Sequence, residues 1–153
     1  MAKDTFPALE MKVGYAQRGS PQERHFHKGR SSQVIQVDIS FNEPVSGLQI
    51  IKLEEGSSTE IKAYSIYDLI AEKVRALLQQ EMKNKNRRQD IYDISLLLRA
   101  FDFDEGEKTK ILMSIKTKCA SRGITPDVNS LSSEGVRQHA KAEWETLAVE
   151  IGE

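Results

Sequence analysis

YSIYDLIAEKVRALLQQ (64–80), EMKNKNRRQ (81–89) and DIYDISLLLRAF (90–101) form the stretch whose reading decides the fold. They read as a helix, a short basic loop and a second helix. At about 100° per residue, Ile66, Leu69, Ile70 and Leu77 fall in one arc, with Val74 on its shoulder and Lys73 near its middle. In the second helix Ile94, Leu97 and Phe101 share a face, and Asp90 lies along it in the first turn. A lysine stem is readily buried, but its charged head is costly to bury without a partner. Lys73 and Asp90 are therefore expected to meet each other or a shared ligand. Two readings stay open: a buried structural ion pair, and a polar site roofed by the two helices.

Upstream of this pair, Ser65 reads as a helix N-cap with Asp68 as its capping-box partner. LQIIKL and EIKAYS flank the turn-rich EEGSST and read as a strand or hairpin. NEPVSG breaks the chain before them. QVIQVDISF reads as a strand with Ile35, Val37, Ile39 and Phe41 on its apolar face, which places Asp38 on the other. Asp is disfavoured in mid-strand, so that carboxylate is either solvated or functional. ALEMKVGY alternates as a half-buried strand, and residues 1–7 suggest no element. The segment from Ala16 to Ser32 is a polar turn region with a basic patch at Arg24, Lys28 and Arg30. His25 and His27 would share a face if it were a strand, and without a third ligand they read as surface histidines.

Downstream, DFDEGEK reads as a solvated acidic break. EKTKILMSIKTKCASRG reads as an amphipathic helix that turns Ile111, Leu112, Ile115 and Cys119 inward and ends at Gly123. TPDVNSLSS is a loop, and a last helix is expected from Glu134 to Glu150. Val136, Trp144, Leu147 and Ile151 are its candidate contacts, and His139 is a packing residue. Strands passing into helices suggest an α+β (or α/β) fold with helices on one face of a small mixed or antiparallel sheet. A length of 153 residues suggests a single domain, strand-rich over 1–63 and helical over 64–153.

Charged residues make up 29% of the chain against a net charge of −1, so no global field draws it to nucleic acid or membrane and such binding must be local. One cysteine, Cys119, excludes an internal disulfide and a cysteine-rich zinc site. With no signal peptide and no long apolar run, the expected setting is the cytoplasm. The chain has no GxxxxGK[ST] loop, no GxGxxG, no GxSxG and no HExxH. The candidates that remain are Asp38, Lys73 and Asp90, with Asp93, Arg75 and the basic loop behind them. A strand carboxylate that can hold a divalent cation, a lysine, and an aspartate that orients the lysine or accepts a proton suit phosphoryl-type transfer. Lys83, Lys85, Arg87 and Arg88 can meet phosphates.

VIQVDISFNEPV, IKAYSIYDLIAEKVRALLQQ and RRQDIYDISLLLRAF, spanning 33–101, resemble the later part of the AbiEii/AbiGii-type nucleotidyltransferase toxins of toxin–antitoxin and abortive-infection systems. By that resemblance Lys73 matches the helix lysine, Asp90 and Asp93 match the two aspartates of an R-D-x-Y-D block, and Asp38 is a third carboxylate and candidate metal ligand. Arg75, Lys85, Arg87 and Arg88 become nucleotide-binding candidates. The implied fold is a DNA polymerase β-like nucleotidyltransferase core with a helical C-terminal part. The implied chemistry is nucleotide transfer from an NTP with Mg²⁺ to an RNA or protein acceptor, and the implied partner is a cognate antitoxin. The sequence departs from the pattern in three places. It has no Gly-Gly/Ser motif before a helix, no D-x-D upstream of Asp38, and Gln89 where an arginine is expected. The chain is accordingly expected to be a C-terminal part, truncated or split, that needs an N-terminal half and is inactive alone. The competing expectations are an inactive antitoxin- or RNA-binding module and a small structural α+β domain.

Overall fold

A computed structural model of the protein describes residues 8–41, 43–53 and 58–151. It divides into two compact units, residues 1–43 and 44–153. The expected α+β class holds, but the strands form two separate two-stranded antiparallel sheets rather than one. Residues 1–7, Asn42 and most of the joint at 54–57 lie outside the described residues, as do the expectations placed on them.

In the first unit, β1 (Ala8–Tyr15) pairs with β2 (Gln33–Ser40). The register sets Leu9 opposite Ile39, Met11 opposite Val37 and Val13 opposite Ile35, so the period-2 alternation of both strands falls on one face. Glu10 and Asp38 face each other on the opposite one. Gly14 has a steric reason: a Cβ there would come 2.7 Å from the Ser31 Cβ. Between the strands lies α1 (Glu23–Phe26), a short helix the sequence reading missed. His25 sits in it and His27 caps it, so the two do not share a strand face.

The second unit opens with a hairpin, β3 (Leu48–Lys52) and β4 (Glu60–Tyr64), in which Ile51 faces Ile61. Helix α2 (Ile66–Lys83) follows, with the Ser65 hydroxyl accepting the Asp68 N–H at 3.2 Å. It stops at Asn84, whose φ of +46° is the left-handed conformation that asparagine tolerates. Helix α3 (Arg88–Ala100) and helix α4 (Glu105–Ala120) come next. A reciprocal capping box between Asp104 and Glu107 starts α4, and Gly123 at φ +70° turns the chain after it. The expected last helix is two: α5 (Glu134–Lys141) and α6 (Trp144–Ile151), separated by Glu143 at φ +60°. No glycine, proline or asparagine announces that break in the sequence.

Helix α2 packs against α3, α4 and α5 together, and this explains most departures from the expected faces. The core joins Ile70 and Val74 of α2 to Phe103 and to Ile111 of α4, with Ile94, Leu97 and Ile115 packed around it. Phe103, from the segment expected to be solvated, is buried in the core, while Asp104 beside it caps α4. Leu69, Phe101, Leu112 and Trp144 were expected to face inward and are exposed. A helix surrounded on three sides also buries polar residues, here Asp68, Arg75, Gln79 and Gln80.

Candidate functional site

Lys73 projects from the middle of α2 toward the first turn of α3. Its Nζ donates to Asp90 Oδ1 at 3.1 Å and to Asp93 Oδ2 at 2.6 Å, and both Lys73 and Asp90 are largely buried. Asp90 and Asp93 stand three residues apart, one helical turn, so one ammonium reaches both. Burial pulls the Lys73 pKa down, but the hydrogen bonds it donates to Asp93 and Asp90, with the charges of both carboxylates, outweigh it and hold the ammonium above its ordinary value. The group is thus one cation locked between two carboxylates, with a formal charge of −1.

That leaves Asp90 Oδ2. It is buried without a hydrogen-bond partner among the described residues, and Arg87 Nη1 lies 3.8 Å from it. Asp90 also lines an open polar pocket of about 260 Å³ formed by residues 86–90.

The basic residues differ in their partners. Arg88 is paired with Glu143 at 2.7 Å. Arg75 is buried along α2 against Glu72 and Gln79, so its guanidinium serves the helix rather than the pocket. Lys83 is held below its ordinary pKa, first by burial and then by the charges of Arg75, Arg122, Arg87 and Lys85. Burial is the larger cause, and the four cations that add to it form a local cluster of like charge in a chain whose net charge is −1. His139 of α5 lies over the same loop, its Nδ1 3.1 Å from Asn86 Oδ1.

Asp38 is exposed and accepts from Gln36 Nε2 at 3.2 Å. It belongs to the first unit, whereas Lys73, Asp90 and Asp93 belong to the second. Its cross-strand neighbour Glu10 is paired with Lys12 at 3.1 Å. Among the described residues no group of three or more His, Cys, Asp or Glu is arranged to hold a metal ion. Asp90 and Asp93 each commit an oxygen to Lys73, so the donor set does not fit a resident Mg²⁺.

The sequence reading missed a second buried ion pair. Lys118 of α4 and Asp68 of α2 lie 3.5 Å apart, with side-chain exposures of 2% and 0%. Asp68 is more than a capping partner. Its carboxylate accepts the N–H groups of Ser46 (3.0 Å) and Gly47 (2.7 Å) and the Ser65 hydroxyl (3.2 Å). Lys118 also donates to the Pro44 carbonyl at 2.8 Å and lies over the Tyr64 ring. The signal was available: Lys118 follows Ile111 and Ile115 at helical spacing and precedes the buried Cys119.

No helix among the described residues is long and apolar enough to cross a membrane. No curated protein and no solved structure matches the chain. Residues 5–153 match the family described as AbiEii, nucleotidyl transferase AbiEii toxin of Type IV toxin–antitoxin systems, a match that reaches well beyond the 33–101 blocks. The chain belongs to this AbiEii nucleotidyltransferase toxin family.

Proposed function

We propose that the chain serves its family's nucleotide-transfer chemistry by binding the phosphate end of a nucleoside triphosphate at the first turn of α3. One observation carries this reading: a single pocket is lined by Arg87, within the cation cluster around Lys83, and by Asp90, which keeps a buried oxygen without a hydrogen-bond partner. Arg87, with Lys85 behind it, attracts the phosphates, and the helix N-terminus adds its partial positive charge. Lys73 and Asp93 are positioning residues. They fix one Asp90 oxygen and leave the other to accept a proton from an incoming hydroxyl. A divalent cation travelling with the nucleotide would neutralise phosphate charge. Residues 1–37 contain no D-x-D, and their one Gly-Ser pair, Gly19-Ser20, stands just before the short helix α1. The family's toxin–antitoxin setting implies a cognate antitoxin as partner.

A second reading, an inactive binding module, is favoured by one fact. The Lys73 ammonium is already engaged by two carboxylates and is not free to meet a triphosphate. Calorimetric titration with the four nucleoside triphosphates separates the proposal from plain surface binding. At least one should bind, Arg87→Gln should weaken it about tenfold, roughly 1.4 kcal/mol, and Asp90→Asn should not weaken it. Absence of binding by any of the four at millimolar concentration contradicts the proposal.

A further inference from the structure

The first unit holds a concavity that the α2–α3 site does not use. It is an open pocket of about 490 Å³ lined by Pro21, Gln22, His25, Arg30, Ser31 and Ser32. Apart from Ser31, whose hydroxyl is engaged by backbone carbonyls, every polar side chain in that wall can donate a hydrogen bond, and no carboxylate lines it.

The surrounding charges point the same way. Between residues 18 and 30 the chain places Arg18, Arg24, Lys28 and Arg30 against a single acid, Glu23. Glu23 is itself occupied, accepting the Gly19 N–H at 2.8 Å and lying 3.7 Å from His27 Nε2. None of the four cations forms an ion pair among the described residues. Acids and bases are nearly equal in number in this protein, 23 against 22, and many of its other cations do find partners. Four exposed cations against one occupied acid make these thirteen residues a locally basic stretch in a chain of net charge −1.

The pocket is also shaped in advance. The Arg30 N–H donates to the His25 carbonyl at 2.9 Å, which brings the two basic side chains of the wall onto one turn. The Ser31 hydroxyl is 2.9 Å from the Tyr15 carbonyl and 2.6 Å from that of Gln33, tying the loop to the ends of both strands. Gly19 and Gly29 take φ of +80° and +72°, turns an L side chain would strain. A donor-lined pocket held by its own backbone loses little order when it binds.

We infer that this pocket is a binding site for phosphate esters, with Arg30 and His25 meeting the phosphate oxygens and Arg18, Arg24 and Lys28 supplying field around it. The flanking cations outnumber what one phosphate needs, and so favour a phosphodiester chain over a single phosphate group. The site is independent of the α2–α3 pocket and stands or falls apart from it.

The test uses the full chain and a fluorescein-labelled single-stranded RNA 12-mer, read by anisotropy at two salt concentrations. Arg30→Gln should weaken binding about tenfold and lower the log–log salt slope by about 0.7. Lys52→Gln, which removes the same charge from β3, should leave both unchanged. Circular dichroism checks that each variant is folded, and His25→Gln provides a second probe of the wall. Competition with AMP and inorganic phosphate identifies the source of the phosphate. RNA binding far tighter than AMP places a phosphodiester chain in the site, and equal affinities place a mononucleotide there. Either result with the Arg30 dependence supports the inference. No binding by RNA, AMP or phosphate overturns it, as does an Arg30→Gln effect no larger than that of Lys52→Gln.

Discussion

Replacing Lys118 with methionine tests how the second unit is held together. The substitution keeps the unbranched stem and removes only the ammonium. What remains is an Asp68 carboxylate with 0% side-chain exposure, still bonded to the N–H groups of Ser46 and Gly47 and to the Ser65 hydroxyl. The Pro44 carbonyl also loses its donor. Removing one partner of a buried pair costs about 3–5 kcal/mol. The three surviving donors put Lys118→Met near the lower end, about 3 kcal/mol. Asp68→Ala should cost about 4–5 kcal/mol, because it strands the lysine and removes the acceptor that joins the β3 entrance to α2. The double variant should cost less than the sum by at least about 1.5 kcal/mol, since neither charge is then left alone. Urea unfolding followed at 222 nm reads this directly. With a slope of about 1.5 kcal/mol/M, Lys118→Met lowers the midpoint by about 2 M. A shift under about 0.5 M, or strict additivity in the double variant, would refute the reasoning.

Three further outcomes follow from the same geometry. Phe103→Ala should cost about 3–4 kcal/mol in unfolding experiments, whereas Asp102→Ala, at the exposed position beside it, should be nearly neutral. Cys119 is fully buried and its thiol is raised above the ordinary value by that burial. It should therefore react with a disulfide reagent only at the rate of unfolding, and rapid native-state labelling would contradict the packing. Lys73 has a folded pKa raised above 10.5, so its stabilising contribution is complete below that pH and is lost as pH rises through the folded value. Stability measured from pH 9 to 12 should fall less steeply in Lys73→Met than in the parent, and identical slopes would show that the pair is not coupled to folding.

What the sequence made legible follows from how each signal arises. The strands of the β1–β2 hairpin alternate with period 2 and were placed closely, and the Ser65 cap and the start of α2 were visible because capping is local chemistry. The Lys73–Asp90 meeting was legible because both charges sit on apolar arcs, and Asp93 joins them one turn later. Less accessible was anything set by the surroundings of α2. Reading one buried face per helix places Leu69 and Leu112 inside and leaves Asp68 at the cap, whereas a helix packed on three sides buries Asp68, Arg75 and Gln80. The α5–α6 break depends on Glu143 adopting positive φ, which no residue preference signals. Arg75 and Arg88 looked equivalent to Arg87 as phosphate contacts. Only the fold shows that Glu72 and Gln79 hold the first and Glu143 the second.

The central claim is that the first turn of α3 receives the phosphates of a nucleotide. Backbone amide shifts recorded while a nucleoside triphosphate is titrated into the isotopically labelled chain test it most directly. The account predicts saturable shifts concentrated at Asn86, Arg87, Arg88, Gln89 and Asp90, smaller ones at Lys73 and Asp93, and their loss in Arg87→Gln. Saturable shifts confined to other residues, or none at millimolar nucleotide, would contradict it.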